Sequence, residues 1–154
     1  MCSLKNRSKA LKENHTSIDN SSETIIASPS PKIALKIIPE KGRGIVATET
    51  ILEGEIFERA PVIFCPANEY TFLGKTILDN YMYTWGKELE DLAVALGYGS
   101  LYNHSYHPNA LYIKHIDDFI VEFVAQRKIE KGEEITINYG NASPSKKPVW
   151  FNAV

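Results

Sequence analysis

The chain has few cysteines: only Cys2 and Cys65 occur among its 154 residues. Two thiols cannot by themselves complete a four-ligand zinc site, and they are too few for the disulfide framework of a small secreted domain. No metal site is therefore predicted. The expected location is a reducing, intracellular compartment, either the cytoplasm or the nucleus.

Long apolar runs and an excess of positive charge are also missing. No run of about 18 apolar residues occurs, so no membrane-spanning helix is predicted. The first residues contain no apolar segment of the kind found in secretory signals. The 17 Lys and Arg residues are outnumbered by 19 Asp and Glu residues, which argues against direct nucleic-acid binding through phosphate neutralisation. Neither membranes nor nucleic acids are expected partners.

What remains is the composition of an ordinary globular protein, with 44% apolar and 23% charged residues. The length suits one domain with its own apolar core. Residues 1–30 are rich in Ser, Asn, Thr and Lys, and we expect them to form a disordered tail. The folded domain is expected over residues 31–140. Residues 141–154 form a C-terminal segment that carries the aromatic pair Trp150 and Phe151.

The apolar pattern of the folded part predicts short strands. They are expected over residues 32–38, 44–47 and 55–64, in a hairpin of 110–116 and 119–125 around Asp117 and Asp118, and in a last strand within 127–140. Helical spacing around Ile77, Leu78, Tyr81 and Met82 predicts one or two short helices within residues 70–96. The predicted fold class is mostly β with short helices.

The stretch "YGSLYNHSYHPNA" concentrates small polar groups and two histidines. His104 and His107 could be metal ligands, but the other ligand types, Cys65 and His115, are distant in sequence. Ser105 directly follows His104, and no strand–turn–helix elbow frames it as a nucleophile. Taken alone, these residues most simply serve turns, as do the two glycines of "KGRG".

Three segments that occur in order change this interpretation: "KGRGIVATETILEGEIF", "LYNHSYHPNALY" and "KIEKGEEITINYG". Together they resemble the SET domain, the fold of most protein lysine methyltransferases, from about residue 32 to residue 140. The resemblance implies a set of small curved sheets in which the last segment passes under a loop in a knot-like arrangement. It also implies S-adenosyl-L-methionine as the methyl donor and a lysine side chain of a protein substrate as the acceptor.

The resemblance assigns roles to individual residues. Contacts with the cofactor are implied for Gly42, Arg43, Gly44, Asn103, His104, Tyr139 and Trp150. The two glycines permit close backbone approach to a ligand, and the short Asn103 amide suits the methionine amine. His104 is expected to present backbone atoms to the adenine, so that its imidazole need not titrate.

The resemblance also implies the residues that act on the lysine. Tyr139 matches the catalytic tyrosine, and we expect its hydroxyl to orient the reactants because a phenol is a poor general base. Tyr112 would supply a second phenol that favours monomethylation, although it could instead be only a cross-strand partner in its hairpin. The substrate channel is expected to contain Tyr112, Ile137 and Phe151.

Some positions depart from the family pattern. Ser100 and Leu101 replace the usual Arg-Phe, Tyr106 replaces a cysteine, and Asn138 replaces an aspartate. Because residues 141–154 contain no cysteine cluster, we expect no zinc-bound flank of the kind found in many histone methyltransferases, and we expect the aromatic segment to close the site.

Two alternatives stay open from the sequence. The acceptor could be a histone or another protein, and a SET-like scaffold without turnover is the competing function. Six acidic residues could form a surface that attracts basic substrates or could simply be solvated: Glu53, Glu55, Glu58, Asp117, Asp118 and Glu122.

Overall fold

Nine short strands form two sheets in the computed structural model, which describes residues 30–140. In chain order they are β1 (Ile33–Ile38), β2 (Gly42–Ala47), β3 (Ile56–Cys65), β4 (Met82–Trp85), β5 (Asp91–Ala95), β6 (Asn103–His104), β7 (Ala110–His115), β8 (Ile120–Ala125) and β9 (Glu134–Ile137). The predicted disordered tail, apart from Ser30, and the predicted aromatic segment lie outside the described residues.

The four-stranded sheet has the order β1-β2-β9-β6 and brings three distant motifs together. β9 pairs antiparallel with β2, with Ile45 opposite Ile135. On its other side β9 pairs in parallel with β6, with Asn103 opposite Thr136 and His104 opposite Ile137. The glycine turn, the Asn-His loop and the last strand therefore lie side by side, and β9 is the strand between them.

The five-stranded sheet has the order β4-β5-β3-β8-β7 and supplies much of the apolar core. β8 is the most buried strand, because five of the six residues in "IVEFVA" are buried. The predicted hairpin is formed by β7 and β8, and its register places Tyr112 opposite Phe123. Phe123 is fully buried and packs near Phe57 and Tyr102. This core supports the wall on which the candidate site is built.

The short helices predicted within residues 70–96 form in the first part of that range. They are one α-helical turn, α1 (Tyr70–Leu73), and a 3-10 turn at Ile77–Tyr81. A further 3-10 turn at Ala67–Glu69 directly precedes α1. Residues 82–85 and 91–95 of the same region form β4 and β5, which the sequence did not predict. They form strands by pairing with each other and, through β5, with β3.

The mostly β fold class is confirmed, with small curved sheets and one short helix. The last described strand lies against the Asn-His segment: the Ser105 amide donates to the Ile137 carbonyl at 3.0 Å. The rest of the C-terminal segment, on which the predicted knot-like threading also depends, lies outside the described residues.

Asn109, which the sequence suggested to be a turn residue, is a buried clamp on β9. Its amide nitrogen donates to the Glu134 carbonyl at 2.8 Å and to Glu133 Oε1 at 3.0 Å. Its Oδ1 accepts a hydrogen bond from the Thr136 amide at 2.9 Å. Only 2% of Asn109 is exposed, so water cannot replace these bonds.

We expect Asn109→Ala to lower the free energy of unfolding by about 2–3 kcal/mol, because it leaves buried backbone groups without partners. Urea denaturation measures the change. Asn68→Ala is the control, since Asn68 is exposed and should change the stability by less than about 0.5 kcal/mol. Equal stability of the two variants would contradict the assigned role of Asn109.

Candidate active site

Two cavities share one wall. The larger cavity, of about 300 Å³, is lined by Lys41, Arg43, Asn80, Tyr81, Ser100, Leu101, Tyr102, Asn103 and Tyr139. The second, which we call the tyrosine cavity, is about 150 Å³ and is lined by Asn80, Tyr81, Met82, Tyr83, Thr84, Ser100, Tyr102, Tyr112 and Tyr139. A molecule in one cavity would lie next to a molecule in the other across Tyr102 and Tyr139.

Gly44 and Asn103 fit together at the larger cavity. The Asn103 amide nitrogen crosses over β2 and donates to the Arg43 carbonyl at 3.2 Å and to Glu134 Oε1 at 2.7 Å. A Cβ on residue 44 would lie 2.6 Å from that nitrogen and 2.7 Å from Ile38 Cγ1. The missing side chain of Gly44 therefore makes room for the Asn103 amide.

Two cations and one carboxylate give the larger cavity its charge. Lys41 Nζ lies 3.2 Å from Glu134 Oε2, and the Arg43 guanidinium donates to the Tyr81 hydroxyl at 3.2 Å. Asn103 contacts the other oxygen of Glu134. Charges of both signs are therefore present here, which suits a ligand that carries a carboxylate together with an amine.

Tyr139 is fixed at both its backbone and its hydroxyl. The hydroxyl donates to the Tyr102 carbonyl at 2.8 Å, and the Tyr139 amide donates to His104 Nδ1 at 3.2 Å. Burial, with smaller contributions from Tyr81 and Glu134, raises the pKa of Tyr139 to about 12. The phenol thus stays protonated at neutral pH, where it can donate a hydrogen bond but cannot act as a base.

The tyrosine cavity is lined by phenols whose rings pack on one another. Tyr83 and Tyr112 meet edge to face with centroids 5.1 Å apart, and the Tyr112 hydroxyl donates to the Tyr139 carbonyl at 3.4 Å. Burial raises the pKa of Tyr112 to about 12 and the pKa of Tyr83 well above its ordinary value. Tyr112 is therefore both a cross-strand neighbour of Phe123 and part of the cavity wall.

His104 supports β9 through its imidazole. It is 4% exposed, and its Nδ1 accepts the Tyr139 amide hydrogen, while burial lowers its pKa and keeps the ring neutral. Its ring also lies 5.2 Å from the Tyr139 ring, measured between centroids. The imidazole thus contacts the end of β9. The contact predicted between the His104 backbone and the adenine remains a prediction.

Most predicted site residues of the described range converge here. Arg43, Asn103, Tyr112 and Tyr139 line one or both cavities, and Gly42 and Gly44 lie in the adjoining strand β2. Ile137 is 1% exposed in the core and is not among the lining residues of either cavity. The predicted roles of Trp150 and Phe151 fall outside the described residues.

Several residues of the site were not predicted from the sequence. Lys41, Tyr81, Tyr83, Tyr102 and Glu134 line the cavities or contact their lining residues. Lys41, Tyr102 and Glu134 lie within the three quoted motifs and could have been found there. Tyr81 and Tyr83 could not, because they belong to the region that was predicted to be helical.

Comparisons with known proteins identify the family of this chain. The model of the SET domain matches residues 42–140. A histone-lysine N-methyltransferase of Schizosaccharomyces pombe, specific for lysine 37 of histone H3, is 34% identical over 118 residues, which make up 76% of this chain and 77% of the relative.

Solved structures show the same fold. A candidate histone methyltransferase of Plasmodium falciparum is 30% identical, with a TM-score of 0.57 over 72% of this chain and 95% of its own. The protein CpSET8 from Cryptosporidium is 27% identical, with a TM-score of 0.60 over 75% of this chain and 60% of its own.

The chain belongs to the SET-domain family. It is a protein-lysine methyltransferase, and family membership favours this enzyme over a scaffold without turnover. SET methyltransferases generally use S-adenosylmethionine. Within residues 30–140, no helix is long and apolar enough to cross a membrane, and no group of three His, Cys, Asp or Glu side chains could hold a metal ion.

Proposed function

We propose that this chain transfers a methyl group from S-adenosylmethionine, held in the larger cavity, to a lysine that enters the tyrosine cavity. The observation that carries the proposal is the shared wall: Tyr102 and Tyr139 line both cavities. A donor and an acceptor held on the two sides of this wall would meet beside the Tyr139 hydroxyl.

The residues of the larger cavity fit the charged end of the cofactor. Lys41 and Arg43 supply positive charge for its carboxylate, and Asn103 and Glu134 supply polar groups for its amine. The open space beside Gly42, where a Cβ would meet no atom within 4 Å, adds backbone that a ligand can approach. When bound, S-adenosylmethionine supplies an electrophilic methyl group on a positively charged sulfur.

The tyrosine cavity prepares the lysine for reaction. A lysine amine is protonated in water at neutral pH, with a reference pKa of about 10.4. Aromatic walls disfavour the ammonium form by desolvation, and the protonated phenols of Tyr112 and Tyr139 leave their oxygen lone pairs available to the amine. Alignment along the cavity supplies the rest of the rate enhancement, because two held reactants react as one unit.

The same wall is expected to limit how many methyl groups are added. The Tyr112 hydroxyl lies within hydrogen-bond distance of the Tyr139 carbonyl, at 3.4 Å, so it narrows the cavity near Tyr139. We propose monomethyl-lysine as the main product, since a polar hydroxyl there occupies space that a second methyl group needs.

We expect Tyr112→Phe to increase the dimethylated share of the product, because it removes the hydroxyl and keeps the ring. Mass spectrometry of the modified substrate measures the ratio at equal total conversion. Tyr98→Phe is the matched control, since Tyr98 lines neither cavity. An unchanged ratio in Tyr112→Phe would contradict the assigned role of this hydroxyl.

We propose a histone as the substrate and the nucleus as the site of action. The proposal follows the S. pombe relative, whose substrate is a histone. The sequence left a histone and another protein open as the acceptor, and its lack of a basic cluster argued against a dedicated chromatin enzyme. The residues of the tyrosine cavity would contact only the acceptor side chain. Methylation of recombinant histone octamers with labelled donor, compared with other cellular proteins in an extract, separates a histone from another acceptor.

The first experiment is a calorimetric titration of S-adenosylmethionine into the full-length chain. We expect binding that is weakened by about tenfold in Asn103→Ala, since a hydrogen bond to a charged group is lost. No binding by a protein shown to be folded would overturn the proposal. Unchanged binding in Asn103→Ala would show that the cofactor does not contact the Asn103 side chain.

A further inference from the structure

A buried carboxyl group lies directly behind the shared wall of the two cavities. Glu58 in β3 is 6% exposed, and its Oε2 accepts a hydrogen bond from the Tyr102 hydroxyl at 2.5 Å. Its Oε1 accepts the Tyr98 amide hydrogen at 2.9 Å. Within residues 30–140 no Lys, Arg or His side chain forms an ion pair with it. Burial raises the pKa of Glu58, and these two hydrogen bonds oppose that shift.

Tyr102 connects this carboxyl group to the candidate catalytic tyrosine. The Tyr102 hydroxyl is held by Glu58, and the Tyr102 carbonyl accepts the hydrogen bond of the Tyr139 hydroxyl at 2.8 Å. Tyr102 is 2% exposed, and its ring packs 4.6 Å from Phe123 and 6.1 Å from Phe57, measured between centroids. A rigid aromatic residue therefore joins Glu58 to the hydroxyl of Tyr139.

Packing alone does not require a carboxyl group at this position. The ring of Tyr102 already has aromatic neighbours. An apolar residue at position 58 together with a phenylalanine at position 102 would fill the same space without the cost of removing a carboxyl group from water. The carboxyl group restricts the orientation of Tyr102, because its hydrogen bond fixes the hydroxyl end of the side chain and with it the angle of the ring. A fixed Tyr102 side chain also holds the Tyr102 carbonyl in one position relative to the Tyr139 hydroxyl that donates to it.

We propose that Glu58 is a positioning residue for methyl transfer: it fixes Tyr102 so that the Tyr102 carbonyl holds the Tyr139 hydroxyl in place. The inference rests on the function proposed above and adds a residue that lines neither cavity. Loss of the Glu58 contact should lower kcat without changing KM for the protein substrate or the Kd of S-adenosylmethionine, because both binding surfaces remain.

The test compares Glu58→Gln, Tyr102→Phe and the double variant in the full-length chain. We expect each single variant to lower kcat by about tenfold, near the upper end of what one hydrogen bond contributes. The double variant should be no worse than either single one, since both remove the same contact. Glu122→Gln is the matched control, because Glu122 is also 6% exposed but pairs with Arg59 on the adjacent strand. It should leave kcat unchanged.

A second measurement does not depend on turnover. With tyrosine labelled at the ring carbon that bears the hydroxyl, Tyr139→Phe assigns the NMR signal of Tyr139, which reports the hydrogen bond of its hydroxyl. We expect Glu58→Gln and Tyr102→Phe to shift this signal and Glu122→Gln to leave it in place.

The outcomes separate the two proposals. An unmoved Tyr139 signal in folded Glu58→Gln protein, or kcat losses that multiply in the double variant, would overturn the role of Glu58. A wild-type chain that neither binds S-adenosylmethionine nor transfers methyl groups would overturn the proposed function. The NMR shift would still establish the link between Glu58 and Tyr139 in that case.

Discussion

Tyr139→Phe is expected to lower the rate of methyl transfer by about a hundredfold to a thousandfold, the range seen when one positioned donor is removed from an active site. The variant keeps the ring, its contact with His104 and the backbone hydrogen bonds of the strand end. It loses the hydroxyl that donates to the Tyr102 carbonyl. Single-turnover transfer of labelled methyl groups to the protein substrate measures the effect.

The loss should appear in kcat and leave the Kd of S-adenosylmethionine nearly unchanged, because the cofactor contacts assigned to Lys41, Arg43 and Asn103 remain. Tyr70→Phe is the control, since Tyr70 is exposed and lines neither cavity. A methyl-transfer rate of Tyr139→Phe within about twofold of the wild-type rate would show that the Tyr139 hydroxyl has no catalytic role, given the magnitude expected for a positioned hydroxyl.

The pH dependence of the wild-type enzyme gives a related check. The Tyr139 pKa of about 12 lies above the working range, so this phenol keeps its proton as the pH rises. The rate should therefore rise with pH as more lysine becomes neutral, and it should show no decline from Tyr139 ionisation below about pH 11.

Gly44→Ala is expected to weaken S-adenosylmethionine binding by about tenfold to a hundredfold, corresponding to an overpacking free energy of about 1–3 kcal/mol. The new methyl group would lie 2.6 Å from Asn103 Nδ2, 2.7 Å from Ile38 Cγ1 and 3.0 Å from Glu134 Oε1. The Asn103 amide must then leave its place between β2 and Glu134. Calorimetric titration measures the affinity.

A general loss of stability must be separated from this local clash. Gly54→Ala is the matched control: Gly54 has a φ of +76°, so alanine there strains a turn without entering either cavity. We expect both variants to unfold at lower temperature and only Gly44→Ala to lose affinity. Full affinity in Gly44→Ala would show that the Asn103 amide is not a cofactor contact.

Residue patterns predicted the parts of the fold that depend on local chemistry. The hairpin of β7 and β8 was foreseen because two apolar runs flank a pair of aspartates, and β1 was foreseen to within one residue. β4 and β5 were not foreseen, since "MYTW" and "DLAVA" become strands by pairing with a sheet that lies elsewhere in the chain. Short apolar segments of this kind carry no local signal strong enough to exclude a helix.

The burial of two acidic residues could not be predicted from local sequence either. Glu58 and Glu122 were grouped with four others as surface charges, and this was wrong for both, because each is only 6% exposed. Both residues lie in β3 and β8, which are inner strands of the five-stranded sheet and have a neighbouring strand on each side. Each buried carboxyl group has hydrogen-bond donors. Tyr102 and Tyr98 donate to Glu58, and Arg59 donates to Glu122.

The sequence by itself determined the family, through three motifs in fixed order, and with it the chemistry expected of Asn103 and Tyr139. Only the tertiary structure decided which residues share the site. Parallel pairing of β6 with β9 brings Asn103 beside Glu134 and Gly44, and β4 supplies Tyr83 to face Tyr112. These contacts join residues far apart in the chain, so they depend on strand order and register, which local sequence patterns do not encode.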